Sequence, residues 1–342
     1  MAAQADGHAF SFKKLIQYLL LLALAGVLLY FSFREVKWSD FIAGLKSCNY
    51  YWIAASMAVG ISGFVARALR WRLLLLPLNS SISFKEAYDG ITIAYLTNFV
   101  FPRAGEVARC GVVAKNGKVT FEGALGTVVI ERGFDMICLI FWIFILLAFK
   151  WDEFGGFMNN ELFAPLKDKL SVNFVWIAVI CLAAFAVICA VIWRFRNKLL
   201  GTAVFRKIAD IIKGLVQGLL SAFRMKHKRL FFLYTLAIWG TYWLTSYTTI
   251  QAFSSVAHLT GTDALFFMIV GGLGWVVPVQ GGLGAYHFIV SLALAKVYGI
   301  AQTTGVIFAT ISHESQALAM ILCGTISIIS MSLASKNLKR EK

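Results

Sequence analysis

The sequence predicts an all-α polytopic membrane protein with six spanning helices, two re-entrant helical hairpins and an inverted repeat. Three observations predict it. Hydrophobic residues make up 59% of the 342 positions and charged residues 14%, against about 45–50% and about 25% in soluble domains. Mean hydropathy is +0.75. Several apolar runs reach the length of about 20 residues that a bilayer requires, and the basic residues gather between them.

The first run, 13–33, follows Lys13 and Lys14 and resembles a signal peptide, with Ala23-Leu24-Ala25 as a cleavage-like site. Apolar residues continue well past that point, beyond the about 7–15 residues of a signal core, so the run reads as a retained first span. Further spans are expected at 50–72, 122–149, 171–193, 229–253 and 302–334. Two stretches fit differently. Residues 86–116 are apolar to Phe101 and break at Pro102-Arg103-Ala104-Gly105-Glu106. Residues 262–298 are apolar to Val277 and break at Pro278 and Gly281-Gly282-Leu283-Gly284. Each arm of about 15 residues gives roughly 22 Å of helix, short of the roughly 30 Å core. Both stretches are therefore expected to re-enter, with the break where protein or water covers it.

Charge sets the orientation. With a cytoplasmic N-terminus, Arg67, Arg70 and Arg72, the loop 194–228 and the tail with Lys336, Lys339, Arg340 and Lys342 all fall inside. The acidic residues Asp152, Glu153, Glu161 and Asp168 fall outside. This satisfies the positive-inside rule and places both termini in the cytoplasm of a protein of the inner membrane. The chain then reads as a single integral membrane domain, 1–342, with a first repeat at about 12–150 and a second at about 171–335. Each repeat runs span, span, hairpin, span, with the hairpins opening to opposite sides. Paired interruptions in matching positions mark a transporter binding site.

The net charge of +15 is explained by topology, and no basic–aromatic pattern for nucleic acid is present. The six cysteines, Cys48, Cys110, Cys138, Cys181, Cys189 and Cys323, form no C-x-x-C pair, so neither a disulfide framework nor a metal set is expected, and no cofactor is. Cysteine here serves as a small buried hydrophobe.

Glu131, Arg132 and Asp135 lie deep in their span, and Glu131 and Asp135 share a helix face. Ionisable groups at that depth cost about 2.5–3.5 kcal/mol or more each, so they face a cavity or pair, as Arg132 would with Asp135. His313 and Glu314 hold the matching part of the last span, where they suit a proton relay or a polar helix contact. His313-Glu314-Ser315-Gln316-Ala317 lacks the second His of a zinc-protease helix. Arg103, Glu106 and Arg109 flank the first hairpin tip, where two guanidiniums suit a phosphate and Gly105 admits a headgroup to backbone N–H donors. The alternative for them is a basic anchor at the interface, and that is the favoured reading of Arg67, Arg70 and Arg72. Gly281, Gly282 and Gly284 read as a tight turn, since a phosphate loop would end in Gly-Lys-Ser/Thr.

Asn98-Phe99-Val100-Phe101-Pro102-Arg103-Ala104-Gly105-Glu106-Val107-Ala108-Arg109, then Glu131-Arg132-Gly133-Phe134-Asp135, then Gly281-Gly282-Leu283-Gly284 resembles the membrane domain of lysylphosphatidylglycerol synthases. The resemblance covers about residues 12–334 and adds Asn98 and His287 to the candidate substrate-binding residues. It implies a flippase-like domain. Synthase activity is not expected, because the resemblance does not extend to the soluble aminoacyl-transfer domain. The family's second hairpin tends to read Pro-Gly-Gly-Leu-Gly-x-x-Glu, whereas here Gln280 replaces that Pro and His287 that Glu. Losing the acid argues against a lysyl headgroup, and points to another lipid or to a pairing of His287 with Glu314.

The leading expectation is a flippase-like carrier of a phospholipid or polyprenyl-linked lipid, its anionic headgroup meeting Arg103, Arg109 or Arg132, with protons as the coupling ion. An ion-coupled carrier of a small solute is the alternative, and an intramembrane lipid-modifying enzyme using Glu131 or His313 comes third.

Overall fold

Runs of apolar residues without internal Pro become helices, and the chain bends where Pro, Gly or polar clusters interrupt them. The computed structural model describes residues 12–115, 117–163 and 224–340. The expected span 171–193, Cys181, Cys189 and residues 194–223 of the basic loop lie outside the described residues. Among the described residues all regular structure is helical.

Helix α1 (Phe12–Phe33) is followed by α2 (Trp38–Ser47), α3 (Tyr50–Leu75), α4 (Phe84–Val100), α5 (Gly105–Ala114) and α6 (Phe121–Phe149). Two π-type turns follow α6, at Trp151–Gly155 and Met158–Phe163. Then come α7 (Lys228–Gln251), α8 (Gly261–Val276), a 3₁₀ turn at Gln280–Gly282, α9 (Ala285–Tyr298) and α10 (Gln302–Arg340). Both expected interruptions are present: α4 and α5 flank one break, and α8 and α9 the other.

Three described helices are long and apolar enough to cross a membrane: α3, α6 and α10 over Gln302–Ser335. A fourth span arises only if α1 and α2 are counted together, bent by 86°. Helix α7, expected as a span, has 24 residues but is not among them. Its Thr, Tyr and Ser residues dilute the apolar run. The 34–49 segment, expected as a loop, contains α2. Asp40 in its first turn and Lys46 in its last complement the helix dipole, and Phe41 is buried. Its amphipathic pattern is short, which is why a search for long apolar runs passes over it.

Helix α6 shows what surrounds the protein. Met136, Ile137, Ile140, Phe141, Phe144 and Phe149 are all exposed on it. A stripe of this size is tolerated where the solvent is hydrocarbon. The protein is an integral membrane protein.

The described contacts separate into two compact units whose boundaries fall inside α3, α4, α5 and α7. One comprises Met1–Val65, Ile91–Ala108 and Ala237–Lys342, the other Ala66–Gly90 and Arg109–Leu236. In the first, α9 packs on α1, α8 and α10, and α2 packs on α10. Ala25, Val279 and Ala285 form a small buried contact there. Side-chain hydroxyls link its helices: Thr92 Oγ1 donates to Ser327 Oγ at 2.9 Å, and Ser56 and Thr249 hydroxyls meet at 3.1 Å. At the start of α8 the Thr260 N–H and hydroxyl both donate to Asp263 Oδ2 at 2.7 Å. Tyr298, ending α9, donates its hydroxyl to Asp263 Oδ1 at 2.9 Å. In the second unit Leu73, Leu74, Met225 and Phe231 are buried together, with Ile130 and Phe134 against them.

Candidate functional site

The second unit holds a charged cluster buried among apolar helices. Arg67 and Arg70 are three residues apart on α3 and so share a face. Glu131 and Asp135 share a face of α6 for the same reason. Arg109 comes from α5. Glu131 Oε1 lies 3.2 Å from Arg67 Nη2 and 3.0 Å from Arg70 Nη2, and its Oε2 lies 2.6 Å from Arg109 Nη1. Asp135 lies 2.9 Å from Arg67 Nη2 and 2.7 Å from Arg70 Nη2. Arg132 completes the set at 3.6 Å from Asp135 Oδ2.

Burial sharpens the electrostatics. Arg70 and Glu131 are fully buried, Arg109 is 1% exposed and Arg67 6%. Arg132 is the exception, with its side chain 46% exposed. Among the described pairs, Glu131 meets the guanidiniums of Arg67, Arg70 and Arg109, and Asp135 those of Arg67, Arg70 and Arg132. Buried charges persist only when paired and hydrogen-bonded, as these are. Aromatic faces and hydroxyls complete the shell. The Arg109 guanidinium lies 4.8 Å from the centroid of the fully buried Trp71, and the Arg70 guanidinium 5.7 Å from that of Phe231. Trp71 Nε1 donates to Thr127 Oγ1 at 2.9 Å, and Arg70 Nη1 donates to Thr235 Oγ1 at 3.3 Å.

This corrects the reading of Arg67 and Arg70 as interface anchors: both are buried partners of Glu131 and Asp135. Their i,i+3 spacing within an apolar run was the available signal. Arg72 is half-buried and donates from Nε to the Ile82 carbonyl at 2.8 Å. The expected Arg132–Asp135 pair is present but is the longest of the set.

At the break after α4, Gly105 donates its backbone N–H to Asn98 Oδ1 at 2.8 Å. A Cβ at Gly105 would strike the Asn98 side chain and the Ala94 carbonyl, so the close approach demands glycine. Thus one N–H at the start of α5, expected to serve an anion, is occupied by Asn98. Arg103 has a left-handed backbone, φ 66°, and donates from Nη2 to the Val276 carbonyl. The two expected phosphate ligands of the first break are therefore engaged separately, Arg103 by Val276 and Arg109 by Glu131. Glu106 is half-buried in the first turn of α5.

The second break belongs to the first unit. Gly281, Gly282 and Gly284 have φ of 56°, 78° and 81°, as a tight turn requires. The Gly281 carbonyl accepts from His313 Nε2 at 2.8 Å. His313 Nδ1 lies 2.9 Å from Glu314 Oε1, and His287 Nε2 lies 3.7 Å from the same oxygen. The expected proximity of His287 to Glu314 is thus present. Trp275 stacks on the His313 ring at 5.0 Å, and Tyr286 shares a hydrogen bond with Ser312 at 2.8 Å.

The family model for the lysylphosphatidylglycerol synthase TM region matches residues 18–324. The chain belongs to this family. A search of the curated proteins finds no match. The lysylphosphatidylglycerol synthase TM region thus accounts for nearly the whole described fold, from α1 into α10, and both charged clusters fall within its matched residues. Membership makes a membrane, lipid-related role the frame for these sites.

Proposed function

We propose that this chain is a flippase-like transporter that moves a phospholipid or polyprenyl-linked lipid across the inner membrane. The observation that carries this reading is the gathering of arginines from three helices around Glu131 and Asp135. A lipid phosphate is an anion that reaches membrane depth with its own apolar tails, and guanidinium is the side chain best shaped for it. Arg132, half-exposed on the lipid-facing helix α6, meets the headgroup first. Arg109 then donates to a phosphate oxygen in exchange for part of its bond to Glu131. Glu131 and Asp135 keep the guanidiniums oriented and limit affinity, so that the lipid also leaves.

In this reading the two helix–break–helix pairs are re-entrant hairpins of inverted repeats and alternate access between the leaflets. Both termini are cytoplasmic, and protons are the coupling ion. The chain carries no synthase activity in this proposal. Its test is reconstitution of the purified protein in vesicles with headgroup-labelled phosphatidylglycerol, phosphatidic acid, a polyprenyl phosphate or phosphatidylcholine. Faster movement of an anionic lipid than of phosphatidylcholine, lost in Arg132→Ala, supports the proposal. Folded protein that moves none of them sinks it.

A further inference from the structure

We propose that His287, His313 and Glu314 form a binding site for a divalent transition-metal cation of the zinc class. Each offers one ligand atom, and the three atoms lie within 4.8 Å of one another. His287 sits in the first turn of α9, and His313 and Glu314 are adjacent on α10. Both imidazoles are 2% exposed, whereas the Glu314 side chain is 50% exposed.

The contacts of His313 leave a place for a cation. Its Nε2 meets the Gly281 carbonyl, which only accepts, so that nitrogen carries the proton. A neutral ring then turns the lone pair of Nδ1 toward Glu314 Oε1 at 2.9 Å. Two acceptors at that distance repel unless a proton or a metal ion joins them, and the two can exchange there. An imidazole that donates one N–H to a backbone carbonyl while its other nitrogen faces a carboxylate is arranged as metal-bound histidines are. The carbonyl itself is placed by Gly281, whose φ of 56° turns the backbone and whose missing Cβ leaves room for the ring of Phe99.

His287 supplies the independent observation. Its Nδ1 is buried without a hydrogen-bond partner, and its Nε2 stands 3.7 Å from Glu314 Oε1, too far for a hydrogen bond. A nearly buried imidazole aimed at a carboxylate without bonding it is poised to share a third species with it. Two imidazoles and one carboxylate select zinc-like ions over calcium or magnesium, which prefer all-oxygen sets. Ligands at about 2.0–2.1 Å in a tetrahedron stand about 3.4 Å apart, so side-chain shifts on the order of 1 Å close the site. The exposure of Glu314 leaves a fourth position open to water or to an anionic ligand. Trp275 against His313 and Phe33 against His287 hold the rings in place. This assignment does not rest on lipid movement.

The test uses the full-length protein, stripped with a chelator and titrated with cobalt(II) and then zinc(II) alone. One equivalent of cobalt is expected to give visible d–d bands, zinc to abolish them, and either metal to raise the melting temperature. His287→Gln and Glu314→Gln are each expected to weaken binding ten-fold or more, while His227→Ala and His258→Ala leave it intact. Melting without metal identifies variants that remain folded. The proposal is overturned if cobalt does not bind saturably, if both site variants bind as the parent does while folded, or if binding disappears with His227→Ala or His258→Ala.

Discussion

Arg109 Nη1 and Glu131 Oε2 lie 2.6 Å apart, although twenty-two positions separate them and each is at most 1% exposed. The contact ties α5, which follows the first break, to the middle of α6. Charge-assisted bonds of this length are the strong ones, and in an apolar surrounding neither partner has water to fall back on. A displacement of α5 against α6 must therefore break or replace this bond, and an incoming anion is the natural replacement.

Removal of one buried partner should cost far more than removal of the exposed one. Arg70→Met leaves Glu131 and Asp135 short of a fully buried guanidinium and is expected to lower stability by about 3–5 kcal/mol. Pairing it with Glu131→Gln should recover part of the loss. Thermal unfolding in detergent of the two single variants and the double variant measures the coupling, and strict additivity would contradict the ion-pair account.

Arg132→Ala separates function from folding. Its side chain is 46% exposed and 3.6 Å from Asp135, so the expected stability change is within about 1 kcal/mol. Under the proposed function, movement of anionic lipid should fall at least about ten-fold, equivalent to about 1.4 kcal/mol. Arg132→Lys keeps the charge but loses the fork and should recover only part of the rate. Initial rates in vesicles, measured beside melting curves, decide this.

Trp71 distinguishes packing from hydrogen bonding. Trp71→Phe keeps a ring near Arg109 but loses the donor to Thr127, for an expected loss of about 1–3 kcal/mol. Trp71→Ala opens a cavity at a fully buried site, with an expected loss of about 3–5 kcal/mol. A Phe variant as damaged as the Ala variant would mean that the indole N–H dominates.

Gly105→Ala tests the first break. The added methyl meets Asn98 and the Ala94 carbonyl, and the Gly105–Asn98 hydrogen bond should be lost, lowering stability by about 1–3 kcal/mol. Gly111, around which nothing lies within 4 Å of a built Cβ, is the control on the same helix and should accept Ala without loss. Equal melting temperatures for the two variants would remove the close approach from the account.

Re-entrance makes a topological prediction. If α4 and α5 form a hairpin, single cysteines placed at Ser80 and Lys115, both exposed, should react with an impermeant thiol reagent from the same side of the membrane. Labelling from opposite sides would turn the pair into a crossing segment.

Much of this architecture was legible because apolar length and Pro–Gly interruption are local signals. The breaks at Pro102–Gly105 and Pro278–Gly284 stand where the residues place them, and the family resemblance carried by Asn98–Arg109 and Glu131–Asp135 is met by the family match. Other features were not local. Arg67 and Arg70 look like membrane-edge anchors until α6 brings Glu131 beside them, since charge alone does not reveal its partner. Helix α2 was missed because ten residues bury little surface. His287 stands twenty-six positions before His313 and makes no short metal pattern with it, and only the fold brings it beside the adjacent His313 and Glu314.

The bond from Tyr298 to Asp263 has a mechanical consequence. It fastens the last residue of α9 to the first turn of α8, so the two arms are clipped at the end remote from Pro278 and the glycines. A pair of rods pinned at one end and joined by a turn at the other cannot spread at the pin. Were the pair to rotate about Asp263, the excursion would be largest at Gly281, where the bond to His313 would have to give. The carboxylate of Asp263 is in this sense a pivot, and Tyr298→Phe would loosen the fulcrum while leaving the turn intact.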